Sequence, residues 1–341
     1  MIAQGYRMTD EYFKREAAAR HNNRAVQLHM QGNRRAAEHE YRRALHVDPN
    51  HVSALNNLGF LLIETGAFEE AVLLVQRAIG VVPENEDAYN NLGLAYFHLE
   101  QHERAQRAFE AAIRYNPSHH SASFNLGVLY QSRGNWGAAV DAYKNHLRNH
   151  PKHPEALYNL AVAYNALGML DQAETYYHLA IKQSGANADA LVNLGQLYLR
   201  KRQADRALAV LERALEIEPE HPLGLYNLAL VWVTKKKPDR AKPLLAKVVS
   251  KRPDYIPAIS NLAMICAELA DPDEAHTLLR RALDLAPSTP TLLFNLGVVE
   301  AKQGNRDAAI EAFSKVLDLE PEQSLRRKKA EQQLAELQPF K

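Results

Sequence analysis

Asparagines recur at intervals of 34 residues along this chain of 341 residues. The series is Asn23, Asn57, Asn91, Asn125, Asn159, Asn193, Asn227, Asn261 and Asn295. A side-chain amide donates and accepts hydrogen bonds at once, so a row of amides can pair with the main chain of a bound peptide. The same amides could instead hydrogen bond to a neighbouring helix. The spacing therefore predicts a non-covalent ladder, used either for binding or for structure.

The remaining reactive side chains lack the grouping that catalysis or metal binding needs. Four histidines share one register of the same interval: His51, His119, His153 and His221. Metal ligands must converge on one point, so histidines spread along the chain predict no metal site. The one cysteine, Cys266, excludes a disulfide framework and is expected to be a buried apolar residue. Without a nucleophile and base set or a glycine-rich phosphate loop, we predict no enzyme activity and no cofactor.

Composition limits the partners. Lysine and arginine total 41 against 40 acidic residues, so the net charge is +1 and a nucleic-acid partner is not expected. At 46% hydrophobic and 24% charged residues, the chain is typical of folded proteins. The sequence has no run of about 18 apolar residues, so no membrane-spanning helix is predicted. Residues 1–7 do not resemble a signal peptide. We therefore predict a cytoplasmic location.

Prolines mark an internal repeat. They recur at Pro49, Pro83, Pro117, Pro151, Pro219, Pro253, Pro287 and Pro321, at steps of 34 residues with one double step. With proline at repeat position 32, nine repeats are predicted at 18–51, 52–85, 86–119, 120–153, 154–187, 188–221, 222–255, 256–289 and 290–323. Residues 1–17 are predicted to extend or cap the first helix. Residues 324–341 are predicted to form a capping helix, with Ala330 on its apolar face, and a short tail.

Each repeat reads as two amphipathic helices, because apolar residues fall at positions 4, 7, 8 and 11 and at 20, 24 and 27. Position 20 is alanine in every repeat, and position 8 is always glycine or alanine. Such small residues allow two helices to approach closely. Glycine at position 15 in five repeats, for example Gly66, is expected to end the first helix, and the proline stops the second.

This pattern resembles the tetratricopeptide repeat. The resemblance is carried by Leu55, Leu58, Gly59, Leu62, Ala71, Val75, Ala78 and Pro83 and by their counterparts in each repeat. It implies an all-α fold, a right-handed superhelical α-solenoid of antiparallel helix pairs. In that family the first helices line a concave groove that usually binds other proteins.

The resemblance also implies which residues face the groove. Position 6 carries the asparagines, which are similar to the inward ladder in the repeat region of O-GlcNAc transferase. The other groove candidates are aromatic residues at position 5, Phe124, Tyr158, Tyr226 and Phe294, and acids at position 2, Asp87, Glu155 and Asp189. The acids would favour a basic ligand residue. A clamp for a terminal carboxylate would need basic residues at the inward positions, but Arg200 and Lys302 at position 13 are isolated. Such a clamp is therefore not expected.

Basic residues gather in two successive turns between helices. They are Arg200, Lys201 and Arg202 in one turn and Lys235, Lys236 and Lys237 in the next. Side by side, these turns form either a docking patch for an acidic partner or an ordinary solvated edge.

The leading functional hypothesis is a non-catalytic scaffold that binds an extended peptide segment of a partner protein in the groove. One alternative is a targeting or regulatory subunit for a separate enzyme, such as a glycosyltransferase. Another is a structural protein that forms homo-oligomers through its solenoid ends, because open ends can stack head to tail.

Overall fold

A computed structural model describes residues 2–185 and 187–337, and this part of the chain contains nineteen α-helices and no strand. The chain divides into two compact units, one that ends at Gln183 and one that begins at Ser184. The predicted all-α repeat fold is confirmed.

The first compact unit contains ten helices. They are α1 (Ile2–Met30), α2 (Arg34–Val47), α3 (Val52–Thr65), α4 (Phe68–Val81), α5 (Glu86–His98), α6 (His102–Tyr115), α7 (Ala122–Ser132), α8 (Trp136–Asn149), α9 (Pro154–Ala166) and α10 (Leu170–Ser184). From α1 to α9, each helix packs against the next one along the chain.

The second compact unit contains nine helices. They are α11 (Ala188–Arg200), α12 (Ala204–Ile217), α13 (Pro222–Thr234), α14 (Pro238–Lys251), α15 (Ile256–Glu268), α16 (Pro272–Leu285), α17 (Pro290–Gln303), α18 (Arg306–Leu319) and α19 (Leu325–Leu337). Here too each helix packs against its successor.

Small residues hold the two helices of a pair together. The nine position-20 alanines, from Ala37 to Ala309, are all fully buried. At position 8 the approach is closer still, because a Cβ built on Gly127 would lie 2.5 Å from the Tyr143 ring. On Gly195 it would lie 2.5 Å from Leu211 Cγ. Contacts below about 3 Å do not occur between carbon atoms, so glycine at these points sets the distance between the helices.

The turn between the two helices has one backbone conformation whatever residue occupies it. Gly66 ends α3 with φ +85°, and the amide of Ala67 then donates to the Leu62 carbonyl at 2.8 Å. Ala270 takes φ +62° at the same repeat position, and the amide of Asp271 donates to the Cys266 carbonyl at 2.9 Å. Three more residues share this left-handed conformation without being glycine: Glu100, Arg202 and Lys236. Glycine therefore marks only some of these turns.

Repeat position 34, where the sequence places several histidines between repeats, is the N-cap of α3, α5, α9, α11, α13, α15 and α17, whereas Ser121 is the N-cap of α7. Nδ1 of His51 accepts a hydrogen bond from the Ala54 amide at 3.2 Å, and Nδ1 of His221 accepts one from the Gly224 amide at 3.1 Å. Asn85 and Asn187 cap α5 and α11 with a side-chain oxygen. These caps satisfy amides that would otherwise lack a partner at the helix start.

The two ends of the repeat array differ. The expected N-terminal extension is part of the 29-residue helix α1. Tyr12 and Phe13 lie on this extension, and both side chains are over 60% exposed, with their rings in contact with each other. At the other end α19 packs on α18, and Ala330 is fully buried. The last four residues of the predicted tail lie outside the described residues.

Three further findings concern the described residues alone. None of their helices is both long and apolar enough to cross a bilayer. No three or more of their histidine, cysteine and acidic side chains are grouped so that they could hold a metal ion. Cys266 is buried, and that burial raises the pKa of its thiol to about 11.

Candidate functional site

The asparagines at repeat position 6 form side-chain ladders. Five of them, Asn57, Asn91, Asn125, Asn261 and Asn295, donate from Nδ2 to the position-5 side chain of the preceding repeat. In the first compact unit the bonds run from Asn57 to Asn22 at 3.2 Å, from Asn91 to Asn56 at 2.9 Å and from Asn125 to Asn90 at 2.9 Å. These hydrogen bonds connect the first helices of neighbouring repeats. The ladder therefore has a structural role.

The second compact unit keeps the direction of the bond although the acceptor changes. Asn261 donates to the Tyr226 hydroxyl at 3.0 Å, and Asn295 donates to Ser260 Oγ at 3.0 Å. For Asn57, Asn125, Asn261 and Asn295, this is the one hydrogen bond of the amide within the described residues. An amide offers two N–H donors and a carbonyl oxygen. The ladder therefore orients each amide and leaves its oxygen available.

Exposure separates the rungs into two groups. Asn91 and Asn227 are buried, at 6% and 5% of full exposure, so little of either amide reaches the surface. The half-buried rungs are Asn57, Asn125, Asn159, Asn193, Asn261 and Asn295. Only the second group presents a surface to a ligand.

The four aromatic candidates at position 5 are half-buried, because each ring packs on other rings of its own compact unit. The ring-centroid distances are 5.9 Å from Phe124 to Tyr143, 6.1 Å from Tyr158 to Tyr177, 5.3 Å from Tyr226 to Tyr255 and 5.5 Å from Phe294 to Phe313. These rings are therefore partly core residues, and only their outer edges can contact a ligand.

Two of the acidic candidates are held by histidines at repeat position 34. Asp87 accepts from Nε2 of His119 at 3.0 Å, and Asp189 accepts from Nε2 of His221 at 3.0 Å. Since Nδ1 of each ring already accepts from backbone amides, Nε2 carries the proton that it donates. This hydrogen bond lowers the pKa of the Asp87 carboxyl. Both carboxylates are exposed and fixed in direction.

A group of four histidines, which the sequence analysis missed, lies beside Phe124 in the first compact unit. The ring centroids are 4.5 Å apart for His120 and His150, 4.8 Å for His146 and His150, and 4.8 Å for His146 and His153. A cavity of about 310 Å³ adjoins these rings. Its lining consists of Phe60, Asn90, Leu94, His120, Ser121, Phe124, Asn125, His146, His153 and Glu155. We call this cavity the histidine pocket.

His146 is the most buried member of the group, at 2% of full exposure. Its Nε2 lies 3.0 Å from Nδ1 of His153, whereas its own Nδ1 has no hydrogen-bond partner among the described residues. Burial, reinforced by the neighbouring imidazoles, lowers the pKa of His146 to about 4. Burial also lowers the pKa of His150. These two rings are therefore uncharged at neutral pH.

The spacing of three of these histidines could have predicted part of this group. His146 and His150 are four residues apart, which places them on one face of a helix, and His153 follows one turn later. His120 lies 26 residues before His146, and only the packing of α7 on α8 brings it close. That last contact could not be read from spacing within a single helix.

The predicted basic patch lies at the ends of α11 and α13 in the second compact unit. Lys201 and Lys235 are the C-caps of these two helices, where a positive charge is favourable. Lys235 forms an ion pair with Asp205, and Nζ of Lys237 lies 5.8 Å from the centre of the Trp232 ring. Part of the patch is therefore paired within the protein.

Comparison with protein families identifies the repeat. The model described as tetratricopeptide repeat matches residues 30–86, 64–105, 90–144, 127–189, 192–256 and 262–324. These matches cover most of the chain, including the histidine pocket and the ladder residues other than Asn22, Ser260 and Asn261. A search of curated proteins found no match.

Solved structures with a similar fold come from several sources. A tetratricopeptide repeat protein from Parabacteroides merdae is 17% identical with a TM-score of 0.56, over 75% of this chain and 99% of that one. Pseudomonas aeruginosa pilF is 22% identical with a TM-score of 0.56, over 62% and 96%. The APC/C hetero-tetramer Cut9–Hcn1 contains a chain that is 15% identical with a TM-score of 0.59, over 94% and 76%. At these identities the likeness concerns the fold.

Proposed function

The chain belongs to the tetratricopeptide repeat family, and on that premise we propose that it is a non-catalytic scaffold that binds an extended segment of a partner protein along its first helices. The family is one of protein-interaction scaffolds, which gives the general role. The extended form of the ligand and the residues that hold it are the proposal. The predicted nine repeats over residues 18–323 form its frame.

The observation that carries this proposal is the direction that the five ladder bonds described above share. Each bond uses one N–H of the position-6 amide and leaves the carbonyl oxygen as an acceptor for a peptide N–H of the ligand. Helices pack about 8–10 Å apart, and an extended peptide rises about 3.3 Å per residue. Rungs of adjacent repeats therefore match about every third residue of a ligand, or about every sixth across a buried rung, and they do so independently of its side chains.

Side chains around the ladder would supply selectivity. The exposed edges of Phe124, Tyr158, Tyr226 and Phe294 suit apolar ligand residues, while Asp87, Glu155 and Asp189 suit a basic one. The buried rungs, Asn91 and Asn227, are assigned a structural role. The basic residues at the α11 and α13 ends are a second, weaker contact surface for an acidic partner. A reducing compartment such as the cytoplasm suits the buried thiol of Cys266.

The test is a peptide selection on matched variants. A phage-displayed library of random dodecapeptides is selected on the full chain at pH 7.5, and the enriched peptides are synthesised with a fluorescent label. Their Kd is measured on the wild type and on a variant with Asn57→Ala and Asn125→Ala. We expect about tenfold weaker binding by the variant, because two main-chain hydrogen bonds are lost, each contributing about 0.5–1.5 kcal/mol.

The matched control is Asn149→Ala, which removes an exposed amide from the second helix α8. Its Kd should equal that of the wild type, and circular dichroism should give the same helicity for all three proteins. Equal affinity of the double variant and the wild type would remove the ladder from the proposal. Failure to enrich any peptide would remove the extended ligand as well.

The two alternatives make different predictions for the same protein. A regulatory subunit for an enzyme should capture one enzyme in stoichiometric amount, whereas a scaffold should capture several ligands. Self-assembly is favoured by one specific observation, the exposed Tyr12 and Phe13 pair on α1. Light scattering over a hundredfold range of concentration tests it, and a constant monomer mass would exclude it.

A further inference from the structure

The histidine pocket contains chemistry that the ladder does not use. Its lining residues, all in the described part of the chain, include Glu155 and three histidines but neither lysine nor arginine. The cavity adjoins two amides of the ladder, Asn90 and Asn125, so a ligand that lies on the ladder passes its mouth. At about 30 Å³ per water molecule, its 310 Å³ holds about ten non-hydrogen atoms. That is room for one long side chain.

We propose that the histidine pocket is the subsite for a lysine or arginine side chain of the bound segment, and that acidification expels this side chain. The proposal rests on the function proposed above and names one residue of its ligand. It also assigns a role to histidines that no ladder contact explains.

The lining favours a cation at neutral pH. Glu155 is exposed on the first turn of α9 and supplies a negative charge at the rim. Phe124 and Phe60 line the cavity and offer apolar surface to the methylene groups of a lysine or arginine side chain. The oxygens of the ladder amides and an imidazole nitrogen that carries no proton can accept hydrogen bonds from an ammonium or guanidinium group. Because the lining contains Glu155 and neither lysine nor arginine, its one permanent charge is negative.

The same pocket opposes a cation in acid. His150 faces His146 from the C-cap of α8, His120 faces it from the turn before α7, and His153 faces it from the turn before α9. Glu155 is the acid of the lining, and α3, α5 and α7 contribute uncharged side chains there. An unperturbed histidine titrates near pH 6.5, and like charges a few ångströms apart repel. Each proton taken up therefore makes the pocket more positive and less able to hold a cation.

The unpartnered Nδ1 of His146 supports a ligand-dependent arrangement. A buried polar atom without a hydrogen bond is uncommon in a native protein and needs an explanation. His150 Nε2 is in the same situation. The bound segment would rearrange these rings and supply the missing partners.

The experiment uses a labelled dodecapeptide enriched on the full chain at pH 7.5, as above, and a partner peptide whose lysine or arginine is replaced by norleucine or citrulline. Fluorescence anisotropy gives the Kd of both at pH 7.5 and pH 5.5. We expect the basic peptide to bind about tenfold more weakly at pH 5.5, and the neutral peptide to change less than twofold. At pH 7.5 the neutral peptide should bind the wild type about tenfold more weakly.

Two variants locate the effect. Glu155→Gln should reduce the difference between the two peptides at pH 7.5 from about tenfold to about twofold. The double variant His120→Gln and His150→Gln removes two of the imidazoles, so its Kd for the basic peptide should differ by less than threefold between pH 5.5 and pH 7.5. The control Glu69→Gln removes an exposed acid from the first turn of α4 and should behave as the wild type.

The outcomes separate the pocket from the ladder. Enriched peptides without a basic residue, an equal Kd for the basic and neutral peptides, or a pH effect that survives the double histidine variant would each overturn the pocket and leave ladder binding intact. If no peptide is enriched at all, the proposed function fails, and the subsite fails with it.

Discussion

At the scale of the residue, histidines in this protein act in two ways that depend on their surroundings. As an N-cap, the ring of His221 accepts from a backbone amide through Nδ1 and donates to Asp189 through Nε2, so both nitrogens are satisfied. In the histidine pocket, His146 has a partner at Nε2 only. The first arrangement stabilises a helix start, whereas the second leaves a buried group whose protonation costs free energy.

His146 should make the stability of the protein depend on pH. Its pKa is about 4 when folded and about 6.5 when unfolded, so between these values the unfolded chain binds more protons. The free energy of unfolding is therefore highest above pH 6.5 and falls by up to about 3 kcal/mol as the pH decreases to 4. Urea unfolding followed by circular dichroism at several pH values measures the slope.

His146→Leu should flatten that slope, because an apolar side chain in the same place does not titrate. The control His46→Gln changes an exposed histidine on α2 and should leave the slope unchanged. A wild-type stability that is constant from pH 7 to 4.5 would contradict a buried, neutral His146.

At this scale the sequence predicts the positions of residues better than their contacts. The ladder asparagines were found by spacing alone, because each occupies the same place on its helix. Their bonds were left open, since an amide at a fixed register can face a ligand or a neighbour equally well. The contact between His120 and His150 could not be predicted, because it depends on how two helices pack rather than on the phase within either one.

At the scale of the element, the 34-residue period fixes the helices closely. The second helices begin at Arg34, Phe68, His102, Trp136, Leu170, Ala204, Pro238, Pro272 and Arg306, each 34 residues after the last. Apolar periodicity predicts this, because core positions recur exactly. The turns were predicted only in part: Gly66 signals one, but Ala270 adopts the same left-handed backbone without any signal in its residue type.

Replacing a left-handed alanine by glycine should stabilise such a turn. The left-handed conformation destabilises a residue with a Cβ by about 1–2 kcal/mol, and glycine avoids this cost. Glycine also increases the entropy of the unfolded chain, which lowers the free energy of unfolding by about 0.4–1 kcal/mol. We therefore expect Ala270→Gly to raise the free energy of unfolding by about 0.5–1 kcal/mol. Urea unfolding measures the difference.

Gly304→Ala is the reciprocal variant, because Gly304 takes φ +81° at the equivalent turn and a Cβ there would meet open space. It should lower stability by about 1 kcal/mol through the backbone alone. If Ala270→Gly destabilised the protein, the left-handed conformation at that turn would be contradicted.

At the scale of the whole molecule, stability comes from contacts between helices that are near one another along the chain. In each compact unit a helix packs on the next one and, in several cases, on the next but one. Repeat proteins of this kind lose structure locally, because each repeat interface contributes its own term. The last interface of the second compact unit is formed by α19, whose Leu334 and Leu337 pack with Phe313 and Val316.

Removal of residues 325–341 should therefore loosen α17 and α18 while leaving α3 to α6 unchanged. The deletion exposes the apolar face around Phe313 and removes Arg327, which donates to the Leu317 carbonyl at 2.6 Å near the end of α18. Hydrogen exchange should become at least about tenfold faster in α17 and α18, which corresponds to about 1.4 kcal/mol of lost protection.

Ala330→Asp tests the same interface at full length, because it places a charge at a fully buried position. Ala335→Asp changes an exposed residue of α19 and should have no effect. Equal loss of protection in α3 to α6 would mean that the chain unfolds as one cooperative whole, against the local interfaces on which this expectation depends.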